Sequence, residues 1–254
     1  LGLRYEPWSN VREVNGKLPI LLDPLQAAGA QSFQVNETLF LNNPTKSNWA
    51  PRAGFAWDPL RTGKTSIRGG FGLFFDTPYN GDLIDPAVVA PPFVQIIEVR
   101  NPTFPNVLAA GGSPPQLAAV LLEYGNLNWP SVMQFNLSVQ RELIANTVLT
   151  VSYNGMRGNH LVSRRELNTN IPQTLPDGQR FFPSNATRRN PRVGSMTLFA
   201  TDSKAWYDGL QMSVNRRFSR GFTILGAYTY SKAIDQAPAA ISFTEVSGGP
   251  KIRM

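Results

Sequence analysis

The stretch Phe135-Asn-Leu-Ser-Val-Gln-Arg-Glu-Leu-Ile-Ala-Asn-Thr-Val-Leu-Thr-Val-Ser-Tyr153 decides the fold class. Phe135, Leu137 and Val139 alternate with Asn136, Ser138 and Gln140; Leu149, Val151 and Tyr153 alternate with Thr150, Ser152 and Asn154. Successive strand side chains point to opposite faces, so each run reads as a strand with one apolar and one polar face. The few residues left around Ala145-Asn146 suffice for a tight turn. The unit is a β-hairpin.

The hairpin recurs. Val139 to Tyr153 aligns without gaps on Val214-Asn-Arg-Arg-Phe-Ser-Arg-Gly-Phe-Thr-Ile-Leu-Gly-Ala-Tyr228. A looser copy, Phe55-Ala-Trp-Asp-Pro-Leu-Arg-Thr-Gly-Lys-Thr-Ser-Ile67, carries the turn dipeptides Asp58-Pro59 and Thr62-Gly63. Period-two stripes also run through Ala53, Phe55 and Trp57, through Ile67, Gly69, Phe71, Leu73 and Phe75, and through Leu210, Met212 and Val214. Phe222, Ile224, Tyr228 and Tyr230 share one further face. Helical spacing is confined to Pro115–Tyr124, where Leu117, Val120, Leu121 and Tyr124 before Gly125 predict a short helix. The chain is all-β in its main elements, an antiparallel meander.

Composition narrows the function. The 254 residues hold 24 Lys and Arg against 17 Asp and Glu, a net charge of +7, with one histidine, His160, and no cysteine. Without Cys there is no disulfide, thiolate metal site or Cys nucleophile, and one His supports neither a His-rich metal site nor a relay. Charged residues make up 16%, where a soluble domain averages about 25%. No run approaches the roughly 18 apolar residues of a membrane helix, so a β-barrel is the membrane architecture left open. Leu1-Gly-Leu-Arg-Tyr-Glu6 has no signal-peptide character and reads as the start of an internal segment.

Connection lengths favour the barrel. The turns near 58–65, 142–146 and 217–221 are short, whereas 9–48, 77–130 and 157–205 hold about 40 to 55 residues each. Compact soluble domains rarely carry loops so long; outer-membrane barrels combine short periplasmic turns with long extracellular loops. With short turns inside, spans near 1–8, 49–58, 65–76, 131–142, 145–156, 206–217 and 221–232 alternate in direction without a violation. The apolar run Phe93–Val99 is then a loop strand or one of an even number of extra spans, and the loop is favoured. Trp8, Trp49, Trp129 and Trp206 fall at outer span ends and Trp57 at an inner end, as an aromatic girdle requires.

Catalytic readings are weak. His160 has no nucleophile–base partner at a recognisable spacing. Asp82 and Asp85 with Glu98, or Asp202 with Asp208, are pairs of loop acids that chance supplies. Gly69-Gly-Phe-Gly72 lacks the Lys-Ser/Thr and helix of a phosphate loop. Arg164-Arg165, Arg188-Arg189 and Arg216-Arg217 invite a nucleic-acid reading, but they are scattered over separate loops and turns with no basic helix. Arg68 and Arg217 instead fall on polar strand faces, with Arg216 and Arg220 at an inner turn. No cofactor and no nucleic acid are expected.

Asn48-Trp-Ala-Pro-Arg-Ala-Gly-Phe-Ala-Trp-Asp-Pro59, followed by Gly63-Lys-Thr-Ser-Ile-Arg-Gly-Gly-Phe-Gly-Leu-Phe-Phe-Asp76, resembles the barrel of TonB-dependent outer-membrane receptors. The nearest subgroup carries an N-terminal carboxypeptidase-regulatory-like domain. Phe135–Leu143 and Val151–Leu161 resemble the next hairpin, and Tyr207-Asp-Gly-Leu-Gln-Met-Ser-Val-Asn-Arg-Arg-Phe-Ser-Arg-Gly221 with Tyr228–Asp235 the one after. Leu1–Glu6 fits a preceding strand. The resemblance implies a barrel of about twenty-two strands closed by a plug domain of the same parent chain. It also implies uptake of a bulky, scarce ligand, such as a metal chelate or glycan, energised through the TonB complex.

On this reading the chain is a partial transmembrane β-barrel of about seven spans, without plug or TonB-contact box, in the outer membrane. Phe71, Leu73, Leu137, Val139, Leu149, Val151, Tyr153, Met212, Val214, Ile224 and Tyr228 face lipid, and the three long loops are loosely placed outside and help to capture ligand. The competing readings are a passive porin-like barrel and a secreted, soluble glycan-binding β-sandwich.

Overall fold

The computed structural model describes residues 1–76, 88–99, 104–106, 116–125, 127–183, 186–219 and 221–236. Asp82, Asp85, Pro115 and Arg220 lie outside these residues. The strands are β1 Gly2–Tyr5, β2 Leu18–Ile20, β3 Gln34–Asn36, β4 Trp49–Trp57, β5 Thr65–Phe75, β6 Ile96–Glu98 and β7 Gln116–Leu122. They continue with β8 Ser131–Ile144, β9 Thr147–Glu166, β10 Gln173–Thr174, β11 Arg180–Phe181, β12 Met196–Ser219 and β13 Phe222–Asp235.

Seven of these strands form a wall in the order β1-β4-β5-β8-β9-β12-β13, every neighbouring pair antiparallel. Its short turns are stabilised by local chemistry. Asp58 accepts the backbone N–H groups of Leu60 and Gly63, at 3.2 and 2.8 Å, an Asx-type closure of the β4–β5 turn. At the β8–β9 turn Asn146 takes a left-handed φ of 62°, a conformation its short polar side chain tolerates.

The register fixes the two faces. Trp57, Ile67, Val139, Val151, Met212 and Tyr228 form one cross-strand row, and Phe55, Gly69, Leu137, Tyr153, Leu210 and Tyr230 the next. Glycines on this face sit beneath aromatic rings. A Cβ on Gly155 would lie 2.2 Å from the ring of Phe135, its cross-strand partner, and one on Gly69 would lie 2.4 Å from Phe55. Such a ring covers the backbone that its glycine partner leaves bare.

A second layer, the cap, sits beyond the outer end of the wall. β9 and β12 overrun the spans expected for them, pairing as far as Thr197 with Glu166, so both ends of the 157–205 connection are strand rather than loop. On this extension β12 also pairs in parallel with β7 from Met196 to Phe199, and β6 lies beyond β7. The apolar run that reads as a loop strand therefore contributes β6 at Ile96–Glu98.

The short helix expected at Pro115–Tyr124 is the strand β7 instead. Its residues alternate between two cores: Ala119 and Leu121 join Leu21, Ala27, Phe33, Val193 and Met196, whereas Leu122 and Tyr124 join Leu18, Ile20, Phe40, Trp129 and Phe199. A strand buried on both faces is apolar at nearly every position, and such a run mimics helical spacing.

The described parts of the long connections are accordingly packed rather than loosely placed. Tyr124 is buried, its O–H donates to the Pro19 carbonyl at 2.8 Å, and burial pushes its phenol well above the ordinary range. Arg188 donates to both Glu98 carboxylate oxygens at 2.9 and 3.0 Å and lies 3.9 Å from Glu166. Glu98 and Glu166 in turn accept the backbone N–H groups of Ser195 and Met196. The Asn168 side-chain amide donates to the carbonyls of Asn190, Val193 and Gly194 at 2.8 to 3.0 Å. Buried polar groups satisfied in this way fix one arrangement of the cap.

Candidate functional site

The functional surfaces are the two faces of the wall. All eleven residues assigned to the lipid side in the sequence, Phe71, Leu73, Leu137, Val139, Leu149, Val151, Tyr153, Met212, Val214, Ile224 and Tyr228, fall on one face by register. None of them belongs to either hydrophobic core. Leu137 is 48% exposed and Tyr228 62%, and among the described residues no second sheet covers them. Such a patch greatly exceeds what a soluble monomer leaves bare.

The band has chemically distinct borders. On β9 it runs from Thr147, beside Arg216, to Arg157, beside Trp206. These ten residue steps correspond to about 26 Å of height, at about 3.4 Å per residue and a tilt of about 40°. An outer-membrane barrel's apolar band is about 25 Å tall. At the outer border Arg157 donates to Asp208 at 2.8 Å and Tyr153 donates to the same carboxylate oxygen at 2.5 Å.

The aromatic residues mark the same borders. Trp49 stacks on Tyr5 with centroids 4.2 Å apart, on the apolar face at the outer end of β4. Trp206 shares that face at the outer border, and exposed Trp57 closes the inner end of β4. Trp8 lies beyond β1, its backbone N–H bonded to Thr45 Oγ1. Trp129 departs from the girdle assignment: it is 4% exposed, in the cap core, edge-on to Phe40 at 6.2 Å. Its neighbours Leu127 and Phe199 belong to the cap, a placement that strand-end position alone does not reveal.

The opposite face is polar, with Ser66, Gln140, Thr150 and Ser213 in one row. Two depressions indent it. The outer one, about 440 Å³, is lined by Arg52, Phe74, Gln134, Asn136, Asn154 and Tyr207, with Arg52 4.5 Å over the Phe74 ring. The inner one, about 480 Å³, is lined by Lys64, Arg68, Gln140, Glu142, Asn215 and Arg217 among others. A face with aromatic platforms, amides and charged groups suits a water-filled passage.

Several of the residues that tempted a catalytic or nucleic-acid reading are engaged elsewhere. Asp202 pairs with Arg165 and accepts the Ser163 hydroxyl at 2.7 Å, Asp208 pairs with Arg157, and Glu98 pairs with Arg188, so these acids do not form a carboxylate dyad. Arg164 lies 5.2 Å over the Phe199 ring and Arg216 4.7 Å over that of Phe222. His160 is exposed on the strand extension at a φ of 55°. Among the described residues no group of three or more His, Asp or Glu side chains is placed to hold a metal ion.

The outer membrane transporter YddB from Escherichia coli is similar over 73% of this chain and 20% of its own, at 13% identity and a TM-score of 0.42. The siderophore receptor PirA from Pseudomonas aeruginosa is similar over 73% of this chain and 28% of its own, at 13% identity and a TM-score of 0.39. The chain therefore spans less than a third of the length of either. Among curated proteins there is no match. A family model described as outer membrane beta barrel domain matches residues 1–252. The chain belongs to this outer-membrane β-barrel family, and its place is the outer membrane.

Proposed function

We propose that the chain forms part of the wall and the extracellular cap of a TonB-dependent receptor, of the subgroup bearing a carboxypeptidase-regulatory-like domain. The carrying observation is the segregation of the wall into an apolar face with a band about 26 Å tall and a polar face that is indented at both ends. The apolar face meets outer-membrane lipid. The polar face lines a lumen that a plug domain of the same parent chain occupies, and the TonB complex energises uptake through that domain.

The outer depression offers Phe74 and Tyr207 rings, the amides of Gln134, Asn136 and Asn154, and the Arg52 guanidinium. A bulky polar ligand, a glycan or a metal chelate, can stack and hydrogen-bond there after passing the cap. Among the described residues the edges β1 and β13 are unpaired on one side, and further strands of the parent barrel meet them, because open edges are not stable in lipid.

Planar-bilayer conductance of the full-length protein tests this reading against a passive porin. A plugged receptor inserts without steady conductance and conducts once mild denaturant loosens the plug. Steady conductance from the moment of insertion supports the porin instead.

A further inference from the structure

The geometry points to a binding site for a small multivalent anion, carrying phosphate or carboxylate groups, in the inner depression of the polar face. The inference rests on the reading of this face as water-lined. Three bases converge there from two hairpins: Lys64 where the β4–β5 turn enters β5, Arg68 four residues further along on the same face, and Arg217 near the inner end of β12. Among the described residues none of the three forms an ion pair, whereas Arg157, Arg165 and Arg188 each hold a carboxylate. Arg68 uses only its Nε–H on a neighbour, donating to Ser66 Oγ at 3.2 Å.

One carboxylate lines the depression. Glu142 accepts the Asn146 backbone N–H at 3.2 Å, and its own N–H donates to the Lys64 carbonyl at 2.8 Å. Three bases less one acid leave two uncompensated positive charges in a depression of about 480 Å³. Ser66, Gln140, Thr150, Ser213 and Asn215 surround them with neutral donors and acceptors. β5 and β12 are three strand spacings apart, about 14 Å, a gap that long basic side chains narrow to the size of a compact polyanion. A concave surface of one sign of charge concentrates the opposite ion, and Arg guanidinium groups bind phosphate and carboxylate in fork geometry.

The test titrates inorganic pyrophosphate into the full-length protein in detergent, followed by calorimetry. Saturable binding that weakens as ionic strength rises is expected. Combined Arg68→Gln and Arg217→Gln should weaken it by about tenfold or more, and Glu142→Gln should tighten it by about threefold. Arg141→Gln removes a base beside the site that points to the opposite face, and it should leave the affinity unchanged.

If the double variant does not fold, the two single variants decide, each weakening binding by about threefold. Absence of saturable binding, equal affinity of the Arg variants and the native protein, or an equal loss in Arg141→Gln overturns the proposal. Binding in detergent does not depend on which face meets lipid. Its failure is therefore separable from failure of the receptor reading, which the conductance measurement addresses.

Discussion

A single arginine placed on either face of β9 separates lipid from water. Val151 lies four residue steps from Thr147 and six from Arg157, which at about 2.6 Å of height per step puts it about 10 Å above the inner border and 16 Å below the outer one. That is within about 3 Å of mid-height. Arginine at the bilayer midplane of a barrel's lipid face costs about 2–4 kcal/mol, so Val151→Arg should shift the folding equilibrium by roughly 30- to 700-fold.

Ser152 is the next residue and belongs to the polar face, paired with Ser138 and Gln211. Ser152→Arg should cost no more than about 0.5–1 kcal/mol, the range of a solvated surface change. Leu149 shares the apolar face but sits only two steps, about 5 Å, from the inner border, so Leu149→Arg should fall between them. Urea titration of the full-length protein folded in lipid vesicles, followed by loss of heat-resistant mobility on gels, gives the three stabilities. Equal midpoints for the changes at 151 and 152, or a larger loss at 152, would refute the assignment of faces.

The cap, the ring-over-glycine pairs and the first loop each give a further test. Phe199 is 1% exposed in the cap core, and Phe199→Ala should cost that layer about 3–5 kcal/mol; protease cleavage should accelerate in residues 9–48 while membrane insertion is retained. Gly155→Val places methyl groups where the Phe135 ring lies and should destabilise the wall by about 1–3 kcal/mol. Adding Phe135→Ala should recover part of that loss in a double-mutant cycle. Glu13 accepts the Lys17 and Asn15 backbone N–H groups at 2.7 and 2.8 Å, and the bond from Lys17 does most to hold its carboxyl below the usual range. Because the folded-state value is the lowered one, this support is present above the unfolded carboxyl's pKa and fades as pH falls through the folded value. The protection factor of the Lys17 amide, its exchange measured against the intrinsic rate at the same pH, should fall with acidification in the native protein and lose that dependence in Glu13→Gln.

The wall was readable from the sequence because strands with one apolar and one polar face alternate strictly. The row Trp57, Ile67, Val139, Val151, Met212 and Tyr228 is the direct product of that alternation. The cap was not readable for the converse reason. β7 is buried on both faces, so Leu117 to Leu122 shows no alternation, and its parallel pairing with β12 spans a long sequence separation.

Trp129 illustrates the limit of positional reasoning. Its place at a strand end fits a girdle, but Phe40, about ninety residues earlier, recruits it into the cap core. The convergence of Lys64, Arg68 and Arg217 was half visible. Strand parity put Arg68 and Arg217 on one face, but only the register between hairpins brings them to one depression.

The most direct test of the two-faced wall uses the absence of cysteine from these 254 residues. Single cysteines at Val139, Gln140, Thr150, Val151, Met212 and Ser213 of the full-length protein, each spin-labelled in lipid vesicles, report contact with oxygen in the hydrocarbon or with a water-soluble nickel complex. The account predicts oxygen contact at 139, 151 and 212 and nickel contact at 140, 150 and 213. Nickel contact at all six positions, or the inverse pattern, would contradict it.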